Sequence, residues 1–100
     1  QRYIQGLEGF EGARIFKERE GVRGNYWLNT MLLHRDASDA KRNTLLDGLN
    51  AAGYMARPIW TLMHRLPFHG DSPCAPLPVA EDLERRIINL PSSALLADRV

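Results

Sequence analysis

The sequence predicts a two-layer α/β domain of the α+β kind, a short, mainly antiparallel sheet with helices on one face. Three observations carry that expectation. Two extended runs with aromatic residues are joined by a glycine-containing turn, a capped amphipathic helix follows them, and a further extended run is closed by a proline. Length agrees with one domain. One hundred residues bury about 60–70% of the surface that the unfolded chain exposes, enough for a single core.

Tyr3, Leu7 and Phe10 fall at i, i+4 and i+7, one face of a short helix weakened by Gly6 and Gly9. Too short to nucleate alone, it reads as the end of a longer helix entering from upstream, and the absence of an initiating Met reads the same way. Residues 13–17 form the first strand, closed by a charged turn over 18–24. Residues 25–33 (Asn-Tyr-Trp-Leu-Asn-Thr-Met-Leu-Leu) form the clearest strand, and its length suits a central position.

The main helix begins at Asp36 or Ser38, either of which can cap its first turn, and Asp39 favours the positive end of the dipole. Leu45, Leu49 and Ala52 share a face with Leu46 beside them, while Lys41, Arg42 and Asp47 point to water. Gly53 stands at the left-handed position that ends such a helix. Residues 54–57 read as a third strand stopped by Pro58.

Five of the six prolines fall between Pro58 and Pro78, an ordered-looking loop of a length that is uncommon without a function. A second helix runs from Val79, with Val79, Leu83 and Ile87 inward and the ion pairs Glu81–Arg85 and Asp82–Arg86 at i, i+4. Residues 88–90 are long enough only for an edge strand. Residues 91–93 turn the chain into an apolar stretch over 94–97. The strands and main helices thus run βxβαβα.

Composition excludes several classes. Thirteen basic and 12 acidic side chains leave a net charge of +1, without the basic cluster of a nucleic-acid groove or an anionic membrane surface. No apolar run approaches the ~20 residues of a membrane helix. The lone Cys74 excludes an internal disulfide and points to a reducing, cytoplasmic setting.

Few residues stand out chemically. His64, His69 and Cys74 are ligand types, but their spacing matches no zinc pattern and a fourth ligand is lacking. Gly6, Gly9 and Gly12 follow no strand and carry no Lys-Ser/Thr, so they are no phosphate cradle. Tyr26 and Trp27 read as cross-strand packing. Arg57 differs in kind. A guanidinium at a strand end, beside a proline-rich loop with Trp60 and His64, is placed to bind a carboxylate or phosphate.

Read together, these spans resemble a known family. Gly24-Asn25-Tyr26-Trp27-Leu28-Asn29-Thr30 is similar to the NYWL strand of the DegT-type (DegT/StrS) nucleotide-sugar aminotransferases. Residues 56–64, Ala-Arg-Pro-Ile-Trp-Thr-Leu-Met-His, resemble their TRPxWxxxH segment. Residues 77–83 and 88–93 resemble their closing helix and NLPSS turn. Order and spacing agree over residues 1–97.

The resemblance implies a pyridoxal-phosphate enzyme of the aspartate-aminotransferase fold, which moves an amino group, usually from glutamate, onto a nucleotide-linked keto-sugar for surface polysaccharide assembly. Residues 1–12 would be the end of an interdomain helix, and 13–100 the C-terminal small domain of a truncated enzyme. The cofactor lysine would lie upstream, in the large domain of the same chain. The 100 residues alone would then hold no cofactor and be inactive, because neither Lys17 nor Lys41 has the desolvated surroundings that imine chemistry needs. The parent is expected to be a homodimer.

Arg57, Trp60 and His64 match the segment that approaches the substrate at the family's subunit interface. Ser92 and Ser93 match a turn of structural role. The alternative is a free-standing module of α/β type that binds a small molecule or a partner without catalysis.

Overall fold

The computed structural model describes residues 1–98. Four strands form one sheet: β1 (Ala13–Ile15), β2 (Asn29–Leu33), β3 (Arg57–Pro58) and β4 (Ile87–Leu90), in the order β1-β2-β4-β3 with every neighbouring pair antiparallel. Three helices accompany it: α1 (Arg2–Gly6), α2 (Asp39–Ala51) and α3 (Pro78–Arg86). Short 3-10 turns lie at Met63–Arg65, Pro67–His69 and Ala94–Asp98. The predicted α+β domain is this fold.

Alternation along the strands decides the core. Ala13 and Ile15 of β1, Met31 and Leu33 of β2, and Ile88 and Leu90 of β4 share one face and are buried with Ala37 and Ala56. Tyr3, Ile4 and Leu7 at the N-terminus and Leu46 and Leu49 of α2 pack against that cluster. Both segments therefore cover the same face. The Tyr3 hydroxyl donates to the Pro91 carbonyl at 2.8 Å, tying the N-terminal helix to the turn after β4. Burial there, with the nearby Tyr54 phenol, raises the Tyr3 pKa above its usual range.

β2 is central, as expected, with β1 on one edge and β4 on the other. It is shorter than residues 25–33. Tyr26 adopts a left-handed φ of 51°, and the Asn25 side-chain oxygen accepts from the Trp27 amide at 3.0 Å. That local Asx turn interrupts the extended backbone, so pairing starts only at Asn29. Trp27 is accordingly exposed and not packed across strands.

Residues 88–90 are not an edge strand. β4 lies between β2 and β3, and Ile88 is wholly buried. The edge on that side of the sheet is β3, which spans Arg57 and Pro58 where residues 54–57 are expected. A proline lacks the N–H for a second ladder, so this position belongs at an edge.

The main helix is capped by Ser38, not Asp36: the Ser38 hydroxyl accepts from the Lys41 amide at 3.1 Å. Gly53 has a φ of 87°, as its place after the helix requires. Two inward faces differ from expectation. Leu46 and Leu49 pack on the core, whereas Leu45 and Ala52 are exposed. Val79, in the first turn of α3, is 71% exposed.

α3 is joined to the sheet by charge. The buried Arg86 donates to the Leu33 carbonyl of β2 at 2.9 Å and to Asp82 one turn back at 2.6 and 3.0 Å. Arg85 pairs with the same Asp82 and also donates to the Ala37 carbonyl. The expected Asp82–Arg86 pair is present, but Glu81 does not pair with Arg85.

Candidate functional site

The proline-rich segment from residue 59 to 77 hangs between β3 and α3. Its backbone is organised by the two 3-10 turns, and α3 supplies side chains that hold it. Glu84 accepts from the Leu62 amide at 2.8 Å and pairs with Arg65 at 3.0 Å. Glu81 meets His64 Nε2 at 3.1 Å and Arg65 at 3.6 Å. Two carboxylates three residues apart on one helix face thereby clamp one turn of the loop.

His64 sits at the centre of this clamp. Its side chain is 21% exposed, and Nδ1 is buried without a hydrogen-bond partner among the described residues. His64 is also among the residues that line a hollow of about 500 Å³. The cavity walls are mostly apolar, from Leu62, Met63, Pro73 and Leu77, with His69, Ser72 and Cys74 as the other polar groups. The hollow is mostly apolar and opens widely to solvent, so on this domain alone it does not enclose a ligand.

Cys74 is exposed, with its thiol directed to the Ala75 carbonyl at 3.1 Å. The described residues contain no group of three His, Cys, Asp or Glu that could hold a metal ion.

Arg57 and Trp60 do not join His64 at this cavity. Arg57 lies on β3, and its Nη1 donates to Asn50 Oδ1 of α2 at 3.2 Å and to the Ala56 carbonyl at 3.0 Å. It has no carboxylate partner among the described residues. Asn50 in turn donates to the Ala56 and Leu46 carbonyls, so the guanidinium is held by a neutral network and keeps its charge uncompensated. Trp60 is 73% exposed and offers a flat apolar face to solvent. The three residues thus follow the strand-to-loop path without forming one enclosed pocket.

Sequence reasoning missed Glu81, Glu84, Arg65 and Asn50. Glu81 was assigned to Arg85 because i, i+4 spacing favours that pair, and nothing in the sequence says that the 62–65 turn docks on α3. Ser92, by contrast, has the expected structural role: its hydroxyl donates to the Trp27 carbonyl at 2.7 Å and joins the 91–93 turn to the loop before β2.

The two lysines are both exposed. Lys17 lines a second cavity of about 450 Å³ with Arg14, Glu8 and apolar residues of the N-terminal segment. Lys41 stands in the first turn of α2. Neither has the dry surroundings that keep an amine neutral and nucleophilic. Among the described residues, no helix is long and apolar enough to cross a membrane.

No curated protein and no solved structure matches the chain. The match to a protein family is nevertheless nearly complete. It spans residues 1–99 and so includes the NYWL run, the Arg57-to-His64 segment, α3 and the NLPSS turn in their order. By that match, the chain belongs to the DegT/DnrJ/EryC1/StrS aminotransferase family.

Proposed function

We propose that this chain is the C-terminal small domain of an aminotransferase that moves an amino group from glutamate onto a nucleotide-linked keto-sugar, in the assembly of surface polysaccharide. The family match over residues 1–99 carries the reading. Residues 1–12 end an interdomain helix, 13–100 form the domain, and the large domain of the same chain and a second subunit are its partners.

Aminotransferases of this family generally depend on pyridoxal phosphate. A bound pyridoxal phosphate supplies an electron sink for amino-group transfer, held through a desolvated lysine. Lys17 and Lys41 are both exposed to solvent, so neither amine has the desolvated surroundings that hold the cofactor. Neither lysine fits the cofactor. Exposed Trp27, Trp60, Met63 and Phe68 further support a domain that meets other surfaces over a free-standing module.

On the substrate side, Arg57 offers a guanidinium with an uncompensated charge to the diphosphate or to a donor carboxylate. Trp60 offers stacking area, and His64 a hydrogen bond to a sugar hydroxyl.

The test uses the complete enzyme with L-glutamate and uridine- or thymidine-diphosphate-linked keto-hexoses. Amination of the sugar is expected, and Arg57→Ala or His64→Ala should lower kcat/KM about ten- to a hundredfold, with cofactor loading unchanged. No amino transfer to any nucleotide-linked sugar would sink the reading. So would a stoichiometric, borohydride-trapped pyridoxal adduct at Lys17 or Lys41 in the 100-residue chain, above the background of a lysine peptide.

A further inference from the structure

Asn50 stands in the last turn of α2, where its side-chain amide meets groups that fix which way it points. Nδ2 donates to the Leu46 carbonyl at 2.9 Å and to the Ala56 carbonyl at 3.1 Å, while Oδ1 accepts from Arg57 Nη1 at 3.2 Å. A carbonyl can only accept and a guanidinium can only donate, so the reversed amide would set donor against donor and acceptor against acceptor. The oxygen is therefore committed to Arg57. One end of the amide ties the chain leaving α2 to the helix, and the other ties down the first side chain of β3.

Arg57 Nη1 also donates to the Ala56 carbonyl at 3.0 Å. Nη1 carries a pair of hydrogens, and these two acceptors take both. Of the five N–H groups of a guanidinium, one on Nε and two on Nη2 remain. Nε–H and one Nη2–H run parallel along the edge of the planar group that faces away from Nη1. That edge matches a pair of oxygens on a carboxylate or a phosphate. Arg57 is exposed, so an incoming oxyanion has only water to displace there.

We propose that Asn50 is a positioning residue for Arg57: by holding Nη1 it presents the Nε–Nη2 edge as the fork that takes a pair of anionic oxygens of the substrate. This rests on the reading of Arg57 as a substrate-side residue. It adds which edge of the guanidinium meets the ligand and which residue sets it. The oxygens belong to the diphosphate of the sugar nucleotide or to a carboxylate of the amino donor. A long side chain already held at one nitrogen has less rotamer freedom to lose when the anion arrives, and that difference appears as affinity.

The test uses the complete enzyme with L-glutamate and uridine- or thymidine-diphosphate keto-hexoses. Asn50→Ala should raise KM about three- to tenfold with kcat held. A rise for the sugar nucleotide marks the diphosphate as the bound oxyanion, and a rise for glutamate marks the donor carboxylate. A rise for neither overturns the proposal.

A second background decides whether Asn50 acts through Arg57. On Arg57→Ala, the same Asn50→Ala should change neither KM further, because the group it positions is gone. An equal loss on both backgrounds would mean that Asn50 only supports the helix end. Arg57→Lys keeps the charge without the fork and should lose about tenfold in kcat/KM. A lysine variant within about twofold of the parent would overturn the fork with Asn50 untouched. If Arg57→Ala costs activity while Asn50→Ala behaves as the parent, the positioning role falls and the substrate-side reading stands. If Arg57→Ala changes nothing, both fall.

Discussion

The sheet and the proline-rich segment are built from the same chain on opposite terms. In the sheet, β2 and β4 exchange a continuous antiparallel ladder, and Met31, Leu33, Ile88 and Leu90 share one buried face. Between residues 59 and 77 there is no ladder and no fully buried side chain. Trp60, Met63 and Phe68 are exposed, and the contacts that fix the segment are side-chain carboxylates of α3 reaching to it. The sheet is held by backbone pairing and dry packing, which are hard to undo in parts. The loop is held by partly solvated charges, which open at low cost. A weakly held segment can rearrange while the rest of the domain stays fixed.

The contrast is most exposed to failure at Ile88. It is the one large side chain in the described residues with no exposure at all, on a strand paired at both edges. Ile88→Ala should lower the unfolding free energy by about 2–5 kcal/mol, read from denaturant midpoints. A loss no larger than that of a surface substitution would mean that the sheet face is not the core.

Arg86 comes next, because it joins α3 to β2. Arg86→Ala strips the Leu33 carbonyl of its partner inside the domain and should cost about 1–3 kcal/mol by the same measurement. The Arg86 guanidinium, hydrogen-bonded to Asp82, holds that carboxyl below its ordinary value of 3.8, against an opposing effect of desolvation and with help from Arg85. Since the folded value lies below the unfolded one, this stabilisation is complete above about pH 4 and disappears as pH falls through the folded value. Asp82→Asn should flatten the acid side of the Tm–pH curve. An unchanged acid limb would show that the pair is not coupled to folding.

The smallest effects belong to the loop. Glu84→Gln should change global stability by no more than about 1 kcal/mol. Amides from residue 60 to 72 should nevertheless exchange hydrogen faster, with the β2 and β4 amides unaffected. Parallel acceleration in both regions would erase the distinction. Trp60→Ala should leave stability within about 0.5 kcal/mol of the parent, since its side chain is mostly in water.

Much of this was legible in the residues. Alternation and aromatic content placed Met31 and Leu33 in a central strand. Serine, aspartate and glycine punctuation bounded α2 and put a left-handed residue at Gly53. The errors are physical in kind. Residues 25–28 have strand composition, but Asn25 offers the backbone a local hydrogen bond and Tyr26 leaves the extended region. Residues 87–90 look too short for a central strand, yet a strand needs only two neighbours and a dry face, and β2 and β3 supply the neighbours. Of the candidate site, the residue types at 57, 60 and 64 were readable, and their surroundings were not.

What the sequence determined by itself is whatever depends on near neighbours: helix caps, turn glycines, the proline-limited strand, the i, i+4 pair of Asp82 and Arg86, and the run of motifs that assigns the family. The fold alone decided the rest. It chose β4 for the middle of the sheet, turned Glu81 from Arg85 to His64 across 17 residues of chain, and set Arg57 on Asn50 instead of an acid. Those choices compare contacts between segments far apart in sequence. Their free energies exist only once the chain has closed, because a carboxylate on a helix face has several partners within reach and packing selects among them.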